Sequence, residues 1–274
     1  MKKLITRTLT GFVLVSVMLT AILASPYSYA FLFLLVLIGG LTEFNSLFKQ
    51  SPVKPNKALS YTISVLLFFT AFFVARGKLD TRYFFGLFPL FLVVMAAELY
   101  RKKEKPLENI AVTLFSVLYL AVPLALINFL VYPELISENT YAPKLLVAVF
   151  ALIWIYDSGA YLFGVSFGKH RLFERISPKK SWEGAVGGTL TALIAAHFIA
   201  GFIPEIKLIH WMLISLLTVV SSTYGDLTES MFKRYFGIKD SGRILPGHGG
   251  VLDRFDSLFF AAPVIVMYLK LFVE

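Results

Sequence analysis

The sequence has no cysteine, so neither disulfides nor thiolate metal sites organise it. It is also poor in charge. Asp, Glu, Lys and Arg make up 16% of its 274 residues, against about 25% in ordinary soluble domains. Acidic groups are the scarcer kind, 17 against 26 basic. Apolar residues fill the space instead: 57% of the chain, with 27 Phe and a mean hydropathy of +0.74. A soluble globule of this size has too much surface for its volume to bury that fraction. A soluble enzyme and a disordered chain are both excluded. No internal repeat or low-complexity tract is present.

Crossing about 30 Å of hydrocarbon takes roughly 20 apolar helical residues. Such segments recur nine times. They are Leu4–Leu23, Tyr27–Phe48, Ala58–Ala75, Tyr83–Tyr100, Ile110–Tyr132, Leu145–Gly168, Trp182–Ile203, Leu208–Leu227 and Phe255–Val273. Runs such as FLFLLVLIGG are continuous, unlike the alternating strands of an outer-membrane barrel. The expectation is an all-α integral membrane protein of about nine transmembrane helices. With the N-terminus inside, 20 of the 26 basic residues fall on the inner side. Three of the other six lie in the loop Arg76–Arg82. The positive-inside rule then predicts a multi-pass protein of the cell membrane, N-terminus cytoplasmic and C-terminus outside. This charge faces an anionic leaflet, so nucleic acid is not needed as a partner. The opening MKK and the stretch to Ala30 resemble a signal peptide; an uncleaved first helix is expected, because the chain is polytopic. Two parts are read: 1–135 with five spans, and 136–274 with four spans and cytoplasmic loops 169–181 and 228–254.

Ionisable groups inside spans cost about 2.5–3.5 kcal/mol each on insertion scales, so each needs a reason. Glu43, Glu98, Asp157 and Asp226 stand out. Glu98, close to Arg101 and Lys102, reads as an interfacial carboxylate. Glu43 reads equally as a packed polar group or a functional one. Ser222, Asp226, Glu229 and Lys233 are spaced four, three and four apart, which puts them on one helix face. A solvated helix end accounts for Glu229 and Lys233, but less well for Asp226.

Two cytoplasmic loops carry groups suited to phosphate. In Ile176-Ser-Pro-Lys-Lys-Ser-Trp-Glu-Gly184, Pro178 holds Ser177 extended. Lys179 and Lys180 are then presented together before a helix that opens near Trp182, and both ammoniums and helix N-termini attract phosphate. A merely topogenic positive loop would look the same. The loop Ser230–Asp256 is more specific. Pro246, Gly247, Gly249 and Gly250 allow tight turns whose amides can face an anion. Lys233, Arg234, Lys239 and Arg243 surround them with positive charge. Asp253 and Asp256, three apart, point to one side once a helix begins, and carboxylate oxygens suit Mg²⁺ beside substrate phosphates. One of the two could instead cap that helix.

On these residues the chain resembles the phosphatidate cytidylyltransferases, or CDP-diacylglycerol synthases. The motif of serine, Lys-Arg, Lys-Asp, His-Gly-Gly and Asp-Arg-x-Asp is matched from Ser230 to Asp256. Gly225-Asp226-Leu227, Asp157-Ser158-Gly159-Ala160-Tyr161 and Ser177-Pro178-Lys179-Lys180 with Glu183-Gly184 extend it. Position 181 is Ser where the family often has Thr, which keeps the hydroxyl. The motifs cover roughly 145–274.

The resemblance implies transfer of CMP from CTP to phosphatidate with Mg²⁺, and for some members a monovalent cation such as K⁺. It implies a metal held by Asp226, Asp253 and Asp256, and catalytic roles for those three with Lys233, Arg234, Lys239 and Asp240. Substrate binding is expected at Asp157, Ser177, Lys179, Lys180, Glu183, Ser222, Gly247, His248, Gly249, Gly250 and Arg254. His248 is expected to shape the loop or bond phosphate rather than act as a base. The partners implied are CTP, phosphatidate and the bilayer, with room for a homodimer, and a site facing the cytoplasm. The rival from another class is an ion-coupled transporter using Asp157 and Asp226. A CDP-alcohol phosphotransferase would need an Asp-Gly-x-x-Ala-Arg motif that is absent.

Overall fold

The structure is a computed structural model that describes residues 2–136, 140–242 and 249–273, with side chains from residue 10 onward. The described residues form nine long helical segments: α1 (Lys2–Ala24), α2 (Pro26–Leu47), α3 (Lys57–Ala75), α4 (Thr81–Arg101), α5 (Pro106–Val131), α6 (Lys144–Phe167), α7 (Trp182–Phe202), α8 (Leu208–Tyr235) and α9 (Leu252–Phe272). Eight of them, α2 to α9, are long and apolar enough to cross a membrane. In α1 the apolar stretch among residues with described side chains is Thr10–Ala24. The chain is an all-α integral membrane protein.

Local chemistry sets the helix starts. Ser25 accepts the Ser28 N–H and Pro26 opens α2, since proline's missing donor does no harm there. Asn56 caps α3 through Leu59 N–H, and Ser181 caps α7 through Gly184 N–H. Within α5 a π-turn, Val117–Ala121, precedes Pro123; a proline inside a helix lacks one hydrogen bond and forces such an adjustment.

Three features differ from the sequence reading. First, α8 continues to Tyr235, eight residues past the end of the apolar span at Leu227. The apolar run stops there, but Glu229 and Lys233 pair at i,i+4, and Lys233 and Arg234 suit the negative end of the helix dipole. Second, α9 starts at Leu252, so the link between the two helices is residues 236–251 rather than 228–254. Third, the loop before α7 is a hairpin: β1 (Arg171–Phe173) pairs antiparallel with β2 (Ser177–Ser181), Arg171 opposite Ser181 and Phe173 opposite Ser177.

The chain divides into two compact units. The first holds residues 1–132, 139–141 and 240–254; the second holds 133–138, 142–239 and 255–274. Residues 240–254, read by sequence with the C-terminal half, therefore pack with the N-terminal helices. In the first unit the buried Tyr29 hydroxyl donates to Asn128 Oδ1 at 3.2 Å, and the Ser60 and Ser116 hydroxyls meet at 2.7 Å. Such bonds satisfy polar groups that hydrocarbon cannot. In the second unit the Lys144 ammonium hydrogen-bonds Glu205 and holds its carboxyl below the usual range.

Candidate functional site

The second unit is built on close helix packing. A Cβ on Gly188 would lie 2.8 Å from the Tyr156 carbonyl oxygen, and one on Gly184 would lie 2.7 Å from that of Ala160. This small-xxx-small spacing lets α6 and α7 touch backbone to backbone, as membrane helices do where apolar burial gives no drive. The Glu183 carboxylate, in the first turn of α7, accepts the Lys169 and His170 N–H groups at 3.1 and 3.2 Å and meets His170 Nδ1 at 2.6 Å. The hairpin is thereby fastened to α7 at its base. Glu183, expected at substrate, holds Lys169 and His170 in this structure.

The hairpin separates the two lysines that sequence presents together. Successive strand residues point to opposite faces, so Lys179 is exposed while Lys180 is half-buried. The Lys180 Nζ lies 2.5 Å from Asp226 Oδ2, and the Ser230 hydroxyl donates to Asp226 Oδ1 at 3.2 Å. Next to Asp226, Gly225 presses α8 against α9: a Cβ there would sit 2.5 Å from the Asp256 carbonyl oxygen. Asp256 Oδ1 accepts the Ser257 N–H at 2.6 Å. Asp226, Asp157 and Lys233 all lie within electrostatic range of Asp256. Lys233 pairs with Glu229 rather than standing in solvent, since Glu229 is buried. One turn before Asp226, the buried Ser222 hydroxyl finds no hydrogen-bond partner among the described residues. The Tyr156 and Thr223 hydroxyls bond beside it. The result is an acidic cluster, Asp157, Asp226 and Asp256 from three helices, answered by Lys180 and Lys233.

The first unit holds the glycine-rich segment's described part. Asp253 Oδ2 accepts the Ser241 N–H at 3.0 Å, the Ser241 hydroxyl at 2.9 Å and the Gly250 N–H at 2.8 Å. Gly249 has φ +81°, a left-handed turn that suits glycine. Beneath them lies Glu43, only 4% exposed. Its Oε2 accepts the Leu252 N–H at 2.9 Å and the Ser241 hydroxyl at 3.3 Å, and its Oε1 finds no hydrogen-bond partner among the described residues. Sequence alone left Glu43 undecided; its only signal was a carboxylate inside an apolar run.

The expected site residues therefore fall into groups. Asp157, Ser222, Asp226, Lys233 and Asp256, with Lys180, assemble in the second unit. Asp253 and Gly250 are bound into the segment held by Ser241. Arg234, Lys239, Asp240 and Arg254 are exposed, and Ser177 opens β2. Gly247 and His248 lie outside the described residues. Among the described residues no three acidic or histidine side chains form a ready metal-binding group. Asp253 Oδ2 already has three donors.

A model of the cytidylyltransferase family matches residues 5–272. The phosphatidate cytidylyltransferase of Staphylococcus epidermidis is 39% identical over 183 residues, 66% of either chain. That of Staphylococcus aureus is 38% identical over 182 residues, again 66% of either chain. That of Haemophilus influenzae is 50% identical over 124 residues, 43% of either chain. The matched stretch spans just under two thirds of the staphylococcal proteins and under half of the Haemophilus one.

Proposed function

This chain belongs to the cytidylyltransferase family, and we propose that it is a phosphatidate cytidylyltransferase, transferring CMP from CTP to phosphatidate at the cytoplasmic membrane face. The observation that carries the reading is the Lys180 ammonium on Asp226, whose helix Gly225 presses against the backbone of Asp256. Two carboxylates and a cation from three elements are what a phosphate-transfer centre requires. The relatives' activity supplies the substrates.

In this reaction an oxygen of the lipid phosphate attacks the α-phosphorus of CTP. The bond from that phosphorus to the bridging oxygen breaks, and pyrophosphate leaves with the electron pair. A phosphate monoester has its second pKa near 6, so near neutral pH the nucleophile is already mostly dianionic. No protein base is required, and no covalent enzyme intermediate forms. Such transfers depend on positioning and charge neutralisation. Lys233 and Arg234 stand at the end of α8 to receive CTP phosphates. Lys180 exchanges Asp226 for a substrate phosphate once the carboxylate pair is neutralised.

The donor set fits a hard divalent cation. Mg²⁺ binds through one or two carboxylates plus substrate phosphates, and Asp226 and Asp256 supply that pair, with Lys180 standing in as Asp226's cation. Bound there, Mg²⁺ would neutralise charge building on the reacting phosphates. Asp253 keeps the role of organising the Ser241–Gly250 segment. Charge supports this face: Lys180, Lys233 and Arg234 belong to the side expected to collect most basic residues.

The test uses the purified chain in detergent micelles with CTP and phosphatidate. One pyrophosphate is expected per CDP-diacylglycerol formed, and none when either substrate is omitted. Hydrolysis of CTP without lipid product would remove the reading.

A further inference from the structure

Within the first unit a solvent-open cavity of ≈ 420 Å³ is lined by Asn45, Lys49, Lys54, Lys57, Arg101 and Lys103, among others. Five of these six carry positive charge. Arg101 is answered, by Glu98 at 2.5 Å, and Lys54 Nζ donates to the Lys49 carbonyl. The side-chain ammoniums of Lys49, Lys57 and Lys103 form no hydrogen bond or ion pair with any described residue. Three exposed ammoniums without a protein partner among the described residues thus line one concavity, an arrangement suited to an anion.

The cavity is a built one. Arg101 donates to the Lys54 carbonyl at 2.9 Å, Asn109 Oδ1 accepts the Lys54 N–H at 2.5 Å, and Asn109 Nδ2 donates to Glu98 Oε1 at 2.6 Å and to the Glu104 carbonyl at 2.8 Å. Glu98 is 6% exposed and Asn109 fully buried. These bonds lock residues 54–56 to the ends of α4 and α5. Lys102 and Lys105 have φ of +49° and +59°, a left-handed backbone that non-glycine residues hold only where surroundings enforce it. Lys103 sits between them. Asn45, 2% exposed, offers an Oδ1 without a hydrogen-bond partner among the described residues. Topogenic charge explains lysines at this face, but neither the bracing nor the strained link.

We propose that this cavity binds the phosphate-bearing headgroup of an anionic phospholipid. The position argues for lipid rather than a free anion: Lys49 follows the end of α2, Lys57 opens α3 and Lys103 follows the end of α4, where headgroups lie against a spanning bundle. Basic pockets between membrane helices take such headgroups. The inference is independent of the proposed activity.

Thermal unfolding of the full chain in a neutral detergent tests it, because a ligand bound only to the folded state raises the midpoint. Short-chain phosphatidylglycerol should raise the midpoint, and phosphatidylcholine should not. In the variant Lys49→Gln/Lys57→Gln/Lys103→Gln the concentration for half the rise should increase at least about tenfold, some 1.4 kcal/mol of binding. The corresponding triple Lys→Arg variant should respond as the parent does, which separates lost charge from damaged folding. Asp256→Asn should also respond normally, so that failure here stays distinct from failure of the proposed catalytic centre. An equal rise with phosphatidylcholine, an unchanged response in the Gln variant, or the full rise with inorganic phosphate alone would overturn the lipid assignment.

Discussion

The Glu43 carboxylate accepts the backbone N–H of Leu252, 209 residues later in the chain, at 2.9 Å. The same oxygen takes the Ser241 hydroxyl, and Gly242 and Gly250 have no room for a Cβ beside it. A carboxylate in α2 thus fixes both the start of α9 and the segment that holds Asp253. Removing it leaves the buried Leu252 N–H unanswered, at about 1–3 kcal/mol. Glu43→Ala should therefore lower the midpoint of thermal unfolding in detergent and reduce turnover together. Thermal stability equal to the parent's would contradict the anchoring role.

Gly225 tests the approach of α8 to Asp256. An added Cβ would meet backbone at 2.5 Å, and backbone does not yield as a side-chain tip does. Gly225→Ala should destabilise by about 1–3 kcal/mol and depress CMP transfer. Gly201→Ala is the control: it lies in α7 with nothing within 4 Å, so alanine's helix preference should leave it neutral or more stable by about 0.5–1 kcal/mol. Equal behaviour of the two variants in thermal unfolding would sink the claim.

Glu183 tests the hairpin. If its carboxylate fastens Lys169 and His170 to α7, Glu183→Ala should speed tryptic cleavage between Arg171 and Lys180 while the rest of the chain stays resistant. A lowered affinity for substrate with unchanged proteolysis would return Glu183 to a binding role.

Much of this architecture is legible in the sequence because hydrocarbon imposes a single rule. Every span must be apolar and about 20 residues long, so the helices can be read from runs such as FLFLLVLIGG. The cluster residues Asp157 and Asp226 were legible as charges the bilayer should exclude. What escaped depends on tertiary partners. Hydropathy ends the eighth span at Leu227, whereas the helix runs on to Tyr235, carried by an ion pair between Glu229 and Lys233. The hairpin at 171–181 was missed because its strands are short and mostly polar, held by Glu183 rather than by alternation. Glu43 could not be assigned because its partners, Ser241 and Leu252, lie about 200 residues away.

Topology has a direct chemical readout, since the chain has no cysteine of its own. A single Cys placed at Lys103 or at Lys179 should react only with reagents that enter the cytoplasm, whereas a Cys at Lys78 should also react with reagents confined outside. Labelling of either of the first two from outside intact cells would reverse the orientation.

The central claim is that Asp226 and Asp256 form the reaction centre. Asp226→Asn and Asp256→Asn, assayed as formation of CDP-diacylglycerol from CTP and phosphatidate with Mg²⁺, measure it most directly. Losing a carboxylate that neutralises the transition state should lower turnover at least about 10²-fold, roughly 2.7 kcal/mol. For Asp256→Asn the thermal midpoint without metal should hold or rise, because one like-charge repulsion is gone. Turnover within about tenfold of the parent in either folded variant, roughly 1.4 kcal/mol, would contradict the account.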